Sequence, residues 1–313
     1  MFRLPATGTS RSVNKHNCRC DIHVDWIEAS LLFVTDVVTR SDIVDALTEG
    51  NAYESQEFAN EWVSTLWGEL DRRVSLLGSG AAIARHGDRA ERTADWKSRP
   101  AFSFCVTLAM LPHYREEVVA ACGKNYVEQG ELFEKLSHES LALQRWQVER
   151  VGWSRSKATV VVAKVLAVAG AIGEPAIPDG VSRWAAPSAK DGGLDLVAWA
   201  PFTDGWGGRP VLLIQCASGD DWTTKLHTPN LELWNKLVDF SVKPRRGLTM
   251  PFAPEEDEFR RQVNNGQVFL LLDRHRLLHP LRTAGSTLPT PALAGELIAW
   301  IEPRIAAFPR DNA

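Results

Sequence analysis

The residues best suited to chemistry are two acids and an amide set around glycine turns. In KDGGLDLVAW, residues 190–199, Asp191 and Asp195 bracket a glycine pair. The chain then passes through DGWGGRP into VLLIQCASGDDW at 211–222, where Gln215 interrupts an apolar run. Two apolar segments joined by a Gly-rich connection read as a β-hairpin. Side chains alternate faces along a strand, so Gln215 and Ala217 share one side, Cys216 takes the other, and Asp195 on the neighbouring strand can face Gln215. A carboxylate and an amide oxygen converging at the open end of a hairpin are hard donors that suit Mg2+ (or Mn2+). Such an ion activates a water and stabilises the charge developing on a phosphodiester. Burying a primary amide costs roughly 1–3 kcal/mol unless it is bonded, so Gln215 is expected to have a partner. Asp191 is read as a turn residue that bonds its own backbone.

That pair needs a sheet to hold it and helices to cover the sheet. From about 24 to 120 the apolar residues recur at three- and four-residue spacing, as in WIEASLLFVTDVV, SQEFANEWVSTLWGELDRRVSLLG and AFSFCVTLAML. This predicts an all-helical N-terminal region over 1–124, with Phe58, Trp62, Leu66 and Leu70 as one packed stripe, Gly78 as its stop and GDRAERTADWKSRP as a charged connection. The remainder, 125–313, reads as α/β. Helices are expected over 125–147 and 155–172, then the hairpin strands GLDLVAWAPF and VLLIQCA. Helix LELWNKLVDF, strand LTMPFA, helix EEDEFRRQVNN, strand QVFLLLDRHRLL and a closing helix ALAGELIAWIEPRI follow.

The hairpin residues also carry a resemblance. DGGLD followed by IQC resembles the core of the Mrr-type restriction endonucleases, within the PD-(D/E)xK nuclease superfamily, over roughly residues 125–280. The resemblance implies a restriction-endonuclease-like mixed sheet flanked by helices, and Mg2+-dependent cleavage of DNA in bacterial restriction or anti-phage defence. It puts Asp195 in the place of the metal-binding aspartate and Gln215 in that of the second metal ligand, which can instead orient the water. Glu134, in LFEKL, stands for an additional helix-borne acid. The chain departs from the pattern at the lysine, where it has Ala217; a methyl group can neither neutralise a phosphate nor position a water. Either the ammonium comes from elsewhere, with Lys225 in DDWTTKL the nearest candidate to stabilise the transition state, or the module is catalytically inactive and binds nucleic acid or a partner protein in a defence complex. The N-terminal region would then contact such a partner or sense the target.

Composition narrows the alternatives. The 313 residues are 44% hydrophobic and 24% charged, with a net charge of −4, and the acidic excess lies wholly within the first 128 residues. A neutral second part can still present a basic face. VKPRRG at 242–247, with Lys243, Arg245 and Arg246, is the best nucleic-acid track, and DRHRLLH at 273–279 the next. No run of 18 apolar residues and no N-terminal apolar segment is present, which predicts a cytoplasmic protein without membrane contact. HNCRCDIH at 16–23 has no second knuckle to complete a zinc site, and the odd count of five cysteines fits no disulfide framework. There is no phosphate-binding G-x-x-x-x-G-K-[ST] loop and no helix-turn-helix signature, and His113, His138 and His227 lack a companion Ser or Cys signature.

Overall fold

The computed structural model describes residues 1–5, 19–53, 55–151, 158–177, 179–184, 193–283 and 285–311. The chain divides into two compact units, one made of 1–125, 251–255 and 274–313, the other of 126–250 and 256–273. The sequence placed everything beyond 124 in the second part. Instead, two segments read as belonging there are built into the first unit.

The first unit contains α1 (Cys20–Phe33), β1 (Val37–Thr39), α2 (Arg40–Glu49), α3 (Gln56–Leu77), β2 (Ile83–His86), β3 (Arg89–Arg92), α4 (Pro100–Met110) and α5 (Arg115–Cys122). It is therefore not all helical. The stretch read as a charged connection, 87–100, contains β3, which pairs antiparallel with the preceding β2 around Gly87 at φ +58°, with β1 on the far side of β3. Only Val38, Ile83 and Ala90 are buried in this small sheet, so its charged faces hid the strand alternation.

Helices α1 and α4 are buried nearly all round, as a central pair must be. Helix α3 buries Trp62, Leu66 and Leu70 along one stripe, leaves Phe58 half-buried, and stops at Gly78, whose φ of +56° suits glycine. Helix α2 opens on a capping box in which Thr39 Oγ1 accepts from the Asp42 N–H while Asp42 accepts from the Thr39 N–H.

His23, wholly buried in α1, accepts a 2.9 Å bond at Nδ1 from the Trp62 indole. Its partnership is with the core, and Cys20 beside it is a buried thiol; His16 and Cys18 lie outside the described residues. Burial first, and His113 second, bring the His23 imidazole down to about 4. The unfolded chain, with an ordinary histidine value of about 6.5, takes the proton first, so His23 contributes its full stability above that pH and loses it as the pH falls toward 4. The difference corresponds to roughly 3 kcal/mol. The urea midpoint is expected to fall between pH 7 and pH 4.5, and His23→Gln should flatten that slope; an unchanged slope in the variant would assign the acid sensitivity elsewhere.

The second unit contains α6 (Tyr126–Leu143), β4 (Gln147–Arg150), α7 (Ala158–Ile172), α8 (Gly180–Trp184), β5 (Leu196–Trp199), β6 (Val211–Cys216), α9 (Leu231–Trp234), β7 (Arg245–Thr249), α10 (Glu256–Asn264) and β8 (Leu270–Leu272). Its strands form one five-stranded mixed sheet in the order β4-β5-β6-β7-β8. Strand β5 is antiparallel to both β4 and β6, and β6, β7 and β8 run parallel. Val197, Trp199, Val211 and Leu213 pack one face of the sheet against α7 and the turn Trp234–Val238. By alternation, Leu196, Ala198, Leu212 and Ile214 form the opposite face. Helix α6 packs against β4, β5 and β6.

Several elements are shorter than periodicity predicts. Helix α9 lasts one turn because Leu237 and Asp239 bond back to Ile177 and Pro175, and Val238 bridges Ala176. Strand β7 begins at Arg245 and ends before Pro251. Strand β8 stops at Leu272, after which the chain returns to the first unit as α11 (Arg274–Leu277) and α12 (Pro291–Ala307). Arg274 is fully buried and pairs with Glu28 at 2.7 Å, and His275 is buried too, so DRHRLLH is not a phosphate track. Helix α12 sets Trp300 edge-on against Phe104 of α4, ring centroids 4.9 Å apart.

Candidate functional site

Strands β4, β6, β7 and β8 all point the same way, so their carboxyl ends gather at Arg150, Cys216, Thr249 and Leu272. Strand β5 runs oppositely, which brings its first residues to that same edge. In open α/β sheets this edge is where ligands bind. Asp195 stands there, one residue before β5. Its N–H donates to Ile214 O at 3.0 Å and its carbonyl accepts from the Val151 N–H at 2.9 Å, so the backbone is pinned on both sides.

The register Leu196↔Ile214, continued by one residue, sets Asp195 across from Gln215. The two side chains meet, as alternation led us to expect. Asp195 Oδ2 accepts from Gln215 Nε2 and, at 2.7 Å, from the Cys216 N–H. Asp195 is 6% exposed, and Gln215 is the one residue of β6 that is not fully buried. The amide that sequence alone left without a partner therefore has one. It presents its N–H to the carboxylate, the orientation a carboxylate enforces, since that group only accepts.

Gly193 explains the glycine before LD. Its φ is +75°, and a Cβ there would lie 3.2 Å from Gln215 Oε1 and 3.1 Å from Thr228 Cβ. Thr228 belongs to the turn that carries Lys225: its N–H and hydroxyl both donate to Lys225 O, at 2.9 and 2.7 Å. The turn is thus adjacent to the acid–amide pair, while the Lys225 ammonium pairs with Asp221 at 3.2 Å. Ala217 is wholly buried, its N–H bonded to Thr249 O. Asp191 lies outside the described residues.

Glu134 projects from α6 toward the end of β4. It is 2% exposed, and Arg150 Nη2 approaches its Oε2 at 3.4 Å. Asp195 and Glu134 both act on the buried Cys216 thiol, which burial first, and then Asp195, raise well above the ordinary value. Asp195 shares the sheet face of Gln215 and Leu213, whereas Cys216 and Glu134 lie on the α6 side, in a polar neighbourhood around the thiol. Ser137 and Thr249, whose hydroxyls lie 2.9 Å apart, are its hydrogen-bonding members, and Gln129 of α6 donates to Ser218 O at 3.1 Å just past Ala217. Sequence reasoning missed Arg150, Ser137, Thr249 and Gln129. The one available signal was polar residues on the inner face of α6, at Gln129, Glu134 and Ser137.

Among the described residues, no three His, Cys, Asp or Glu side chains are grouped to hold a metal ion. The donors that do converge are oxygen-bearing: the Asp195 carboxylate and the Gln215 amide. Turning the amide about its terminal bond exchanges Nε2 for Oε1, so these residue types fit a hard divalent cation.

The basic stretch divides. Lys243 and Arg245 are exposed, with Arg245 lying over the Phe269 ring at 5.8 Å. Arg246 is a clamp, not a phosphate ligand: it donates to Pro229 O at 3.0 Å and Gln267 O at 2.6 Å, and burial lowers its pKa. Since Leu248, not Arg245, is in register with Gln215, the two exposed cations stand at the far end of β7, roughly 10 Å along the strand at ~3.3 Å per residue.

No family model, curated protein or solved structure matches the chain. No helix among the described residues is long and apolar enough to cross a membrane.

Proposed function

We propose that the second unit is a metal-dependent nuclease with a restriction-endonuclease-like core, cleaving DNA phosphodiester bonds in bacterial restriction or anti-phage defence. One observation carries the reading: Asp195 and Gln215 meet at the carboxyl edge of four co-directional strands. The mixed sheet, with helices packed against it, supports the fold the resemblance implies. Asp195, Gln215 and Glu134 would hold Mg2+ or Mn2+, which when bound supplies the charge that activates water and offsets charge on the phosphate. Asp195 keeps its carboxylate fixed through the Cys216 N–H, and Gln215 follows it as ligand or orienter of the water. Lys225 can leave Asp221, because an exposed i,i+4 pair contributes only about 0.3–0.5 kcal/mol.

A second reading is an inactive module that binds nucleic acid or a partner protein. The wholly buried methyl of Ala217 and the Lys225–Asp221 pair favour it. Supercoiled plasmid incubated with the full chain and Mg2+ or Mn2+, with and without chelator, separates the two. Nicking or linearisation that the chelator stops is the expected result; retardation of the DNA without cutting would select the inactive module.

A further inference from the structure

Ala217 brings no cation to the site, and Lys225 reaches it only by leaving Asp221. We infer that Arg150, anchored by the buried Glu134, is the group that contacts the scissile phosphate. The inference rests on the nuclease reading.

Arg150 closes β4 at the same edge as Asp195, in register with Leu196, and the N–H of the next residue, Val151, bonds Asp195 O at 2.9 Å. The acid and the arginine are thus fixed on adjacent strands by backbone hydrogen bonds, the arginine on the α6 face of the sheet and the acid on the other. A guanidinium offers five N–H donors. Here the contact made is to Glu134 Oε2, at 3.4 Å from Nη2, while Nε is buried with no acceptor. A buried donor left unpaired costs about 1–3 kcal/mol. The side chain is still 29% exposed, so an anion can reach it.

Glu134 makes the position specific. A carboxylate 2% exposed needs a cation, and Arg150 supplies one at 3.4 Å. Arginine matches the paired oxygens of a phosphate better than an ammonium does, so Arg150 is not equivalent to the lysine expected at 217. In the hydrolytic step the water oxygen forms the new P–O bond, one bridging P–O bond breaks, and the departing oxygen receives the proton that the water releases. Arg150 gains and loses nothing. It donates N–H to a non-bridging oxygen, more strongly as charge accumulates there.

The test compares the unaltered full chain with Arg150→Gln, Arg150→Lys and Arg150→Ala for plasmid cleavage, plasmid retardation without divalent cation, and thermal unfolding. Arg150→Gln should slow cleavage by about 100-fold or more, as loss of a transition-state donor does. Retardation should change only a few-fold. Millimolar guanidinium should restore part of the rate to Arg150→Ala, which a purely structural arginine would not permit. Cleavage at full rate by Arg150→Gln overturns the role of Arg150 and leaves the nuclease reading intact. Loss of cleavage without guanidinium rescue, or unfolding of all three variants, makes Arg150 structural and overturns it too. Absence of cleavage by the unaltered chain removes the nuclease reading itself, and this inference with it.

Discussion

Asp195→Asn is expected to reduce Mg2+- or Mn2+-dependent plasmid cleavage by at least about 1000-fold, since it removes the charge of a donor fixed at the strand edge. The substitution is conservative in shape. An asparagine oxygen can still accept the Cys216 N–H that now bonds Asp195 at 2.7 Å, so the β5–β6 end stays closed. What is lost is the charge: the same oxygen accepts from Gln215 Nε2, so that bond is kept but is no longer charge-assisted. Exchanging charge-assisted hydrogen bonds for neutral ones costs about 1–2 kcal/mol of stability, a shift of a few degrees in a protein of this size. Activity and fold therefore separate: cleavage vanishes while the unfolding transition remains. Asp195→Ala should lose the same activity but more stability, because it strands a buried N–H. An Asp195→Asn protein that cuts plasmid at the original rate would remove Asp195 from any metal role, and the nuclease proposal would not survive it.

The acid–amide pair was legible because it depends on one local rule. Alternation along two strands joined by a glycine turn fixes which side chains face each other, and Asp195 and Gln215 obey it. Helices α3, α4 and α12 were legible for the equivalent reason at a period of 3.6. What escaped was decided by partners distant in sequence. RAER and QVER are strands only because neighbours pair with them, and their exposed charges mask the alternation. Arg246 looked like a phosphate ligand until Pro229 O and Gln267 O took up its guanidinium. Arg73 carried no signal of its own and Arg274 read as part of a nucleic-acid track, yet each is at most 1% exposed. Nothing in the order of residues shows that α1 holds two acids waiting for them. The same holds for Arg150, whose partner Glu134 is 16 residues away on another element.

Those two arginines set the second large expectation, the loss of about 3–5 kcal/mol from the first unit in Arg73→Ala. Arg73 Nη1 bonds Asp25 at 2.7 Å and Glu28 at 3.3 Å, its Nε bonds Glu69 at 2.9 Å, and its Nη2 reaches the Asp21 and Ala253 carbonyls. Arg274 completes the cluster, with Glu28 at 2.7 Å, Asp25 at 2.9 Å and Pro251 O at 2.8 Å. Removing Arg73 leaves two buried carboxylates to one cation, and frees Ala253 in the segment 251–255. The expected consequence is a fall of about 10 °C in the unfolding of that unit. Faster hydrogen exchange across α1 would locate the damage.

The pH dependence gives a sharper check than the size of the loss. Burial pushes the Asp25 carboxyl up, but Arg274 and then Arg73 outweigh it and hold the group below its ordinary value. A depressed acid stabilises the fold above the unfolded carboxyl value of about 4, and that contribution disappears as the pH falls through the lower, folded value. The gap between the unaltered protein and Arg73→Ala should therefore be widest near pH 7 and shrink below about pH 4, where protonated Asp25 no longer needs the arginine. Replacing Asp25, Glu28, Arg73 and Arg274 together by Leu or Met should recover most of the loss, since an apolar set of similar volume avoids the desolvation that the ions suffer. A single Arg73→Ala variant within about 1 kcal/mol of the original at pH 7, or a gap independent of pH, would mean that water or backbone, not this cluster, compensates the acids of α1.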